Sequence, residues 1–218
     1  MATSTRPQNL ALAGVALIMV GGLALVVFIA YRGHSQEQLW NEQWVSKTKD
    51  SLRAGKQSYV YFYCTSGTDK MVSEFAGMPE IESLNFNLTD LTDAGVQEIA
   101  RLPNLSQLTL YGGNPRVGNE GLQFLAGHKS IKNLALVNIE VTDEGLQTLA
   151  SLPALTDLTL YRESHREVRL TDAAVERKVG KVGLKKLNIS GGWMSGAALE
   201  RLRKALPDCE ITTTEEGL

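Results

Sequence analysis

Three histidines, two cysteines and a recurring Thr-Asp pair are the residues of this chain whose types could support chemistry. His34, His128 and His165 are scattered, with no HExxH and no Cys-x-x-Cys, so the spacing that would set ligands around a zinc ion is missing. The glycine-rich stretch YGGNPRVGNEG (111–121) invites a phosphate-loop reading, but it lacks the closing Gly-Lys-Ser/Thr that would reach a phosphate and a magnesium ion. Thr68-Asp69, Thr92-Asp93, Thr142-Asp143 and Thr171-Asp172 look like an array of carboxylates. Their regular recurrence points instead to one helix start per repeat. A side-chain oxygen there accepts a hydrogen bond from an unpaired amide of the first turn, and the acid sits at the positive end of the helix dipole. Asn87-Leu88-Thr89, Asn104-Leu105-Ser106 and Asn188-Ile189-Ser190 fit the glycosylation pattern, two of them as by-products of the strand consensus. No nucleophile is set beside a base. The chain reads as a non-enzyme with no cofactor and no metal.

What positions these residues is a repeat. VTDEGLQTLASLPALTDLTL (141–160) matches LTDAGVQEIARLPNLSQLTL (91–110) almost position for position. GTDKMVSEFAGMPEIESLNF (67–86) matches too, with Met71 where the others carry Gly. VGNEGLQFLAGHKSIKNLAL (117–136), LTDAAVERKVGKVGLKKLNI (170–189) and MSGAALERLRKALPDCEI (194–211) complete the series. Units begin near Gln57, Ile81, Leu105, Ile131, Leu155 and Leu184, at intervals of 24 to 29 residues. Such a period is the mark of a stacked repeat protein. Within a unit, LxxLxL sets apolar side chains on one side of a short strand. GLxxLAxLP then lays an apolar stripe along a helix, and Pro103, Pro153 or Pro207 stops it. One such unit cannot bury its apolar side, whereas stacked copies share a continuous core.

The TDxGLxxLAxLPxLxxLxL phrasing resembles leucine-rich repeats of the kind abundant in bacterial, planctomycete-like proteins, and it covers about three quarters of the chain. The resemblance implies an α/β leucine-rich-repeat solenoid: a right-handed β-α horseshoe arc of about six repeats with a parallel sheet on its concave face. Two departures stand out. No unit carries the usual strand-end Asn in a regular register, and VERKVGKVG (175–183) has Lys and Gly where the helix stripe expects Leu and Ala.

With unit positions 1, 4 and 6 pointing inward, positions 3, 5 and 7 build the concave face, which is tyrosine, amide and hydroxyl. Tyr59, Tyr61, Tyr63, Asn85, Tyr111, Asn133 and Tyr161 are its binding candidates. The strand-to-helix turns after Tyr111 and Tyr161 hold two and five extra residues. Extra turn length gathered on one rim marks a binding edge. Arg162, His165 and Arg166 in the longer turn, and Trp193 in the matching turn of the last unit, join the candidates. Tyr presents a large area at low entropic cost, which suits recognition of another protein. A structural, envelope-organising role and glycan binding stay open as readings of the same face.

Ahead of the repeats the composition changes. Following a short N-terminal head (1–9), residues 10–31 form an uncharged apolar run long enough to cross a bilayer as one helix. It is longer than the apolar core of a cleaved signal peptide, and no small-x-small site follows it. It reads as a single-pass anchor. Flanking positive charge is balanced too evenly to fix orientation, and the long tail favours an exported, extracytoplasmic repeat domain. Residues 35–56, with Leu39, Trp40, Trp44, Val45 and Leu52 among polar neighbours, fit an amphipathic helix capping the first repeat. The repeats occupy 57–211 and a polar tail 212–218. A formal charge of −2 over 218 residues excludes nucleic acid as a partner. Cys64 and Cys209 fall in the first and last units, about 24 Å apart, beyond disulfide reach of each other.

Overall fold

A computed structural model of the chain describes residues 14–20, 23–29, 33–63, 65–66, 68–112, 117–139, 142–161, 173, 183–190 and 195–214. Strands β1 (Gly14–Val20) and β2 (Leu23–Ile29) form an antiparallel pair closed by Val20 opposite Leu23. The long helix α1 (Gly33–Arg53) follows. Strands and helices then alternate: β3 (Tyr59–Tyr63), α2 (Thr68–Ser73), β4 (Ser83–Asn87), α3 (Asp93–Ile99), β5 (Gln107–Tyr111), α4 (Asn119–Phe124), β6 (Asn133–Val137) and α5 (Gly145–Leu149). The series ends with β7 (Asp157–Tyr161), β8 (Lys186–Ser190), α6 (Gly196–Ala205) and β9 (Glu210–Thr214).

Strands β3 to β9 make one all-parallel sheet in sequence order. The architecture is therefore α/β: a seven-stranded parallel sheet with six helices among the described residues. The sequence leads one to expect about six strands. The seventh, β9, comes from the half-repeat after Pro207 and carries regular structure to Thr214, three residues past the expected end of the repeats. Its pairing with β8 supplies the ladder that a lone half-unit lacks.

The register is the one the alternation implies. Val60, Leu84, Leu108, Leu134, Leu158 and Leu187 stand side by side across the sheet, and so do Phe62, Phe86, Leu110, Leu136, Leu160 and Ile189. Both rows are buried, together with Ile81, Leu105, Ile131, Leu155 and Leu184, which lead each unit. Val96, Ile99, Leu122, Leu149 and Leu202 come down on them from the helices, giving one continuous core. Each such side chain contributes about 1.5–3 kcal/mol on burial. Helices α2 to α5 are short, five to seven residues, because the proline or turn that follows ends each within about two turns.

At the first end of the stack, α1 lies against β3 and the turn that follows α2. Val45, Thr48 and Leu52 are buried, and the Trp44 ring meets Phe62 at 5.3 Å and Phe75 at 6.0 Å, edge to face in both cases. Phe62 in turn stacks on Phe86 at 4.7 Å. Lys49 pairs with Glu74 at 2.9 Å across the same seam and holds that carboxyl below its ordinary value.

The apolar run 10–31 differs from its expected form. The composition suggests one membrane-crossing helix, but the structure holds two strands there, and among the described residues no helix is long and apolar enough to cross a membrane. One feature of the sequence accounts for the difference: runs of Val, Ile and Leu satisfy a strand as readily as a helix.

Candidate recognition face

The sheet face away from the helices is built by unit positions 3, 5 and 7, and burial alternates accordingly along the strands, save at Val137, which is buried at the end of β6. Three rows cross it. The first runs Tyr59, Ser83, Gln107, Asn133, Asp157, Lys186 and Glu210. The second runs Tyr61, Asn85, Thr109, Ala135, Thr159, Asn188 and Thr212. The third is Tyr63, Asn87, Tyr111, Val137 and Tyr161. Seven of the candidate residues therefore share one surface: Tyr59, Tyr61, Tyr63, Asn85, Tyr111, Asn133 and Tyr161. Arg162, His165, Arg166 and Trp193 lie outside the described residues, as do Cys64, the Thr171-Asp172 pair and the 175–182 segment.

Charge is confined to one corner of this face. Asp157, Lys186 and Glu210 all fall in the first row on the last three strands, and Lys186 stands 4.0 Å from Glu210. The second and third rows hold no charged residue. Tyr61 and Tyr63 stack at 6.2 Å, and Asn87 Nδ2 donates to the Tyr61 hydroxyl at 3.4 Å. Val137 is 9% exposed and forms an apolar floor between the half-exposed Tyr111 and Tyr161. Beyond the third row, Leu88, Gly112 and Asn138 occupy equivalent places. Their amides donate to the carbonyls of Tyr111, Val137 and Tyr161, which pins the end of each strand to the next. Leu88 does so at φ 51° and is 48% exposed, an uncomfortable left-handed position for a side chain that Gly or Asn would fill more cheaply.

The Thr-Asp pairs do something other than what their sequence suggests. Thr92 caps α3 as expected, its side chain accepting from Ala94 N. Asp69 and Asp93 reach into the next repeat instead. Asp69 accepts from Thr92 N and from the Thr92 hydroxyl, and Asp93 Oδ1 accepts from Gly118 N and Gly121 N at 2.9 Å each. Asn119 takes the same place one unit on, with Oδ1 accepting from Thr142 N and Nδ2 donating to Thr142 Oγ1. This ladder explains the glycine in TDxG. A Cβ at Gly95 would run into Asp69 Oδ1, and one at Gly121 into Asp93 Oδ1. Met71, in the first unit, has no preceding ladder aspartate to admit, so a buried side chain is tolerated there. That single departure was the signal in the sequence.

His128 is structural as well. Its Nε2 lies 2.9 Å from Leu102 O while Ser130 N donates to Nδ1, which assigns the proton to Nε2. Burial pushes the Cys209 thiol up, with Asp157 and Glu210 adding to the shift, so little reactive thiolate forms at neutral pH. Among the described residues no three His, Cys, Asp or Glu stand together as metal ligands. Neither a family model nor a curated protein sequence matches this chain.

Proposed function

We propose that this chain is a membrane-anchored leucine-rich-repeat protein that recognises another protein through the open face of its sheet, without catalysis. One observation carries the reading: two adjacent rows of tyrosine, amide, hydroxyl and small apolar side chains, free of charge, on a rigid parallel sheet. Such a surface offers area and hydrogen bonding at little entropic expense. The rim turns with Arg162, His165, Arg166 and Trp193 extend it in this reading. The uncharged segment 10–31 is the anchor. Within a bilayer it is a single helix, because two isolated strands would leave edge N–H and C=O groups unpaired in hydrocarbon. The repeat domain faces the extracytoplasmic side.

Site-directed photo-crosslinking in cells tests the recognition reading. A photoreactive residue at Thr109, central on the open face, is expected to give a discrete protein adduct. One at Gln97, exposed on α3, is expected to give none. Equal labelling from both positions would sink it. Retention of the full chain in membranes after carbonate washing checks the anchor.

A further inference from the structure

From the third row we infer that the partner presents a proline-rich segment in the polyproline II conformation, laid across the strands over Tyr63, Tyr111 and Tyr161. This deepens the recognition reading above and rests on it. The register sets these tyrosines on every second strand, with Asn87 and Val137 between them. Successive tyrosines are thus about 9.4–9.8 Å apart, and the whole row spans about 19 Å. A polyproline II helix repeats every three residues with a rise of about 3.1 Å, so residues i, i+3 and i+6 face one side about 9.3 Å apart. Six rises give about 19 Å, in step with all three rings.

Other peptide shapes fall out of step. An α-helix returns to the same face after seven residues, about 10.5 Å, and over two such steps overshoots by about 2 Å. An extended strand presents the same face about every 6.7 Å and meets the rings only irregularly.

Charge and chemistry agree with the spacing. The row carries no charge, so it offers no counter-ion to a charged segment that would have to shed water over it. An oligoproline surface is equally uncharged. Its rings pack on tyrosine faces, as proline-rich segments do in aromatic-lined grooves generally. Its carbonyls, unpaired within the helix, need donors. Asn87 engages Tyr61 through one amide hydrogen and has a second to give. Between Tyr111 and Tyr161 the floor is Val137, which a proline ring covers without loss. A sugar placed there would leave hydroxyls unsatisfied.

The test uses the full chain in detergent micelles and fluorescence anisotropy of a labelled oligoproline of about ten residues. A Gly-Ser peptide of equal length and chitohexaose serve as comparison ligands. Oligoproline is expected to bind. Tyr111→Ala is expected to raise Kd about tenfold or more, Tyr111→Phe to preserve binding through its ring, and Gln97→Ala, exposed on α3, to leave it unchanged. Tyr63→Ala repeats the measurement at the end of the row should Tyr111→Ala fail to fold. Binding that ignores both alanine variants overturns the proposal. Chitohexaose binding that depends on Tyr111, without oligoproline binding, overturns it in favour of a glycan. If oligoproline does not bind while Thr109 still crosslinks to a protein, the polyproline inference falls and the recognition reading stands.

Discussion

Gly121 and Asp93 form a pair in which each explains the other. Asp93 Oδ1 takes two backbone amides of the next repeat, and only a glycine at 121 leaves it the room. Removing the carboxylate leaves Gly118 N and Gly121 N without their charged acceptor, at about 1.5–3 kcal/mol. Asp93→Ala is expected to lower unfolding free energy by that amount in urea denaturation. Gly121→Ala forces the Asp93 side chain aside and is expected to lower it by about 1–3 kcal/mol. The double variant should lose clearly less than the sum, because the atom that the new methyl strikes is gone. Strict additivity would show that the ladder does not govern this glycine.

Helix α1 closes the apolar end of the stack through Val45 and Leu52 and through the Trp44 ring, which meets Phe62 and Phe75. Without the helix, Phe62 and Phe75 would face water. Trp44→Ala opens a partly wetted gap, so it is expected to lower stability by about 2–3 kcal/mol, below the loss for fully buried aromatics. A thermal melt of the full chain reads the change; an unshifted transition would mean that the cap is dispensable. The Lys49–Glu74 pair on the same seam behaves differently. Because the folded-state pKa of Glu74 is lowered, its contribution is present above the ordinary carboxylate range and is lost as pH falls through that lowered value. Glu74 is well exposed, so the contribution stays within the 0.2–1 kcal/mol typical of such pairs, toward its lower end.

At the scale of the whole molecule, the shared core makes the repeats depend on one another. Leu134 is 2% exposed at the middle of a buried row, between Leu108 and Leu158. Leu134→Asp would place an unpaired charge there, at several kcal/mol, against a total stability of about 5–15 kcal/mol. It is expected to abolish the cooperative transition in circular dichroism. Asn133→Ser, one residue away on the open face, is expected to shift stability by less than about 0.5 kcal/mol. Equal melting of the two variants would mean that the register is misplaced by one residue.

Sequence alone determined the period, the strand register and which side chains turn inward, because a strand alternates faces and stacked units repeat the same choice. The half-repeat at the C-terminus was visible too, but its seventh strand exists only through pairing with β8. Two things needed the folded chain. Asp69 and Asp93 read as helix-start residues, since a cap is a local bond; their actual partners lie 23 to 28 residues away and become neighbours only when units stack. The spacing of Tyr63, Tyr111 and Tyr161 likewise has no meaning along the chain. Parallel pairing in register converts separations of about two repeats into two strand widths, and that conversion turns three distant tyrosines into one row. The apolar segment 10–31 shows the opposite limit: its composition fixes that it shuns water, while helix or hairpin is decided by what surrounds it.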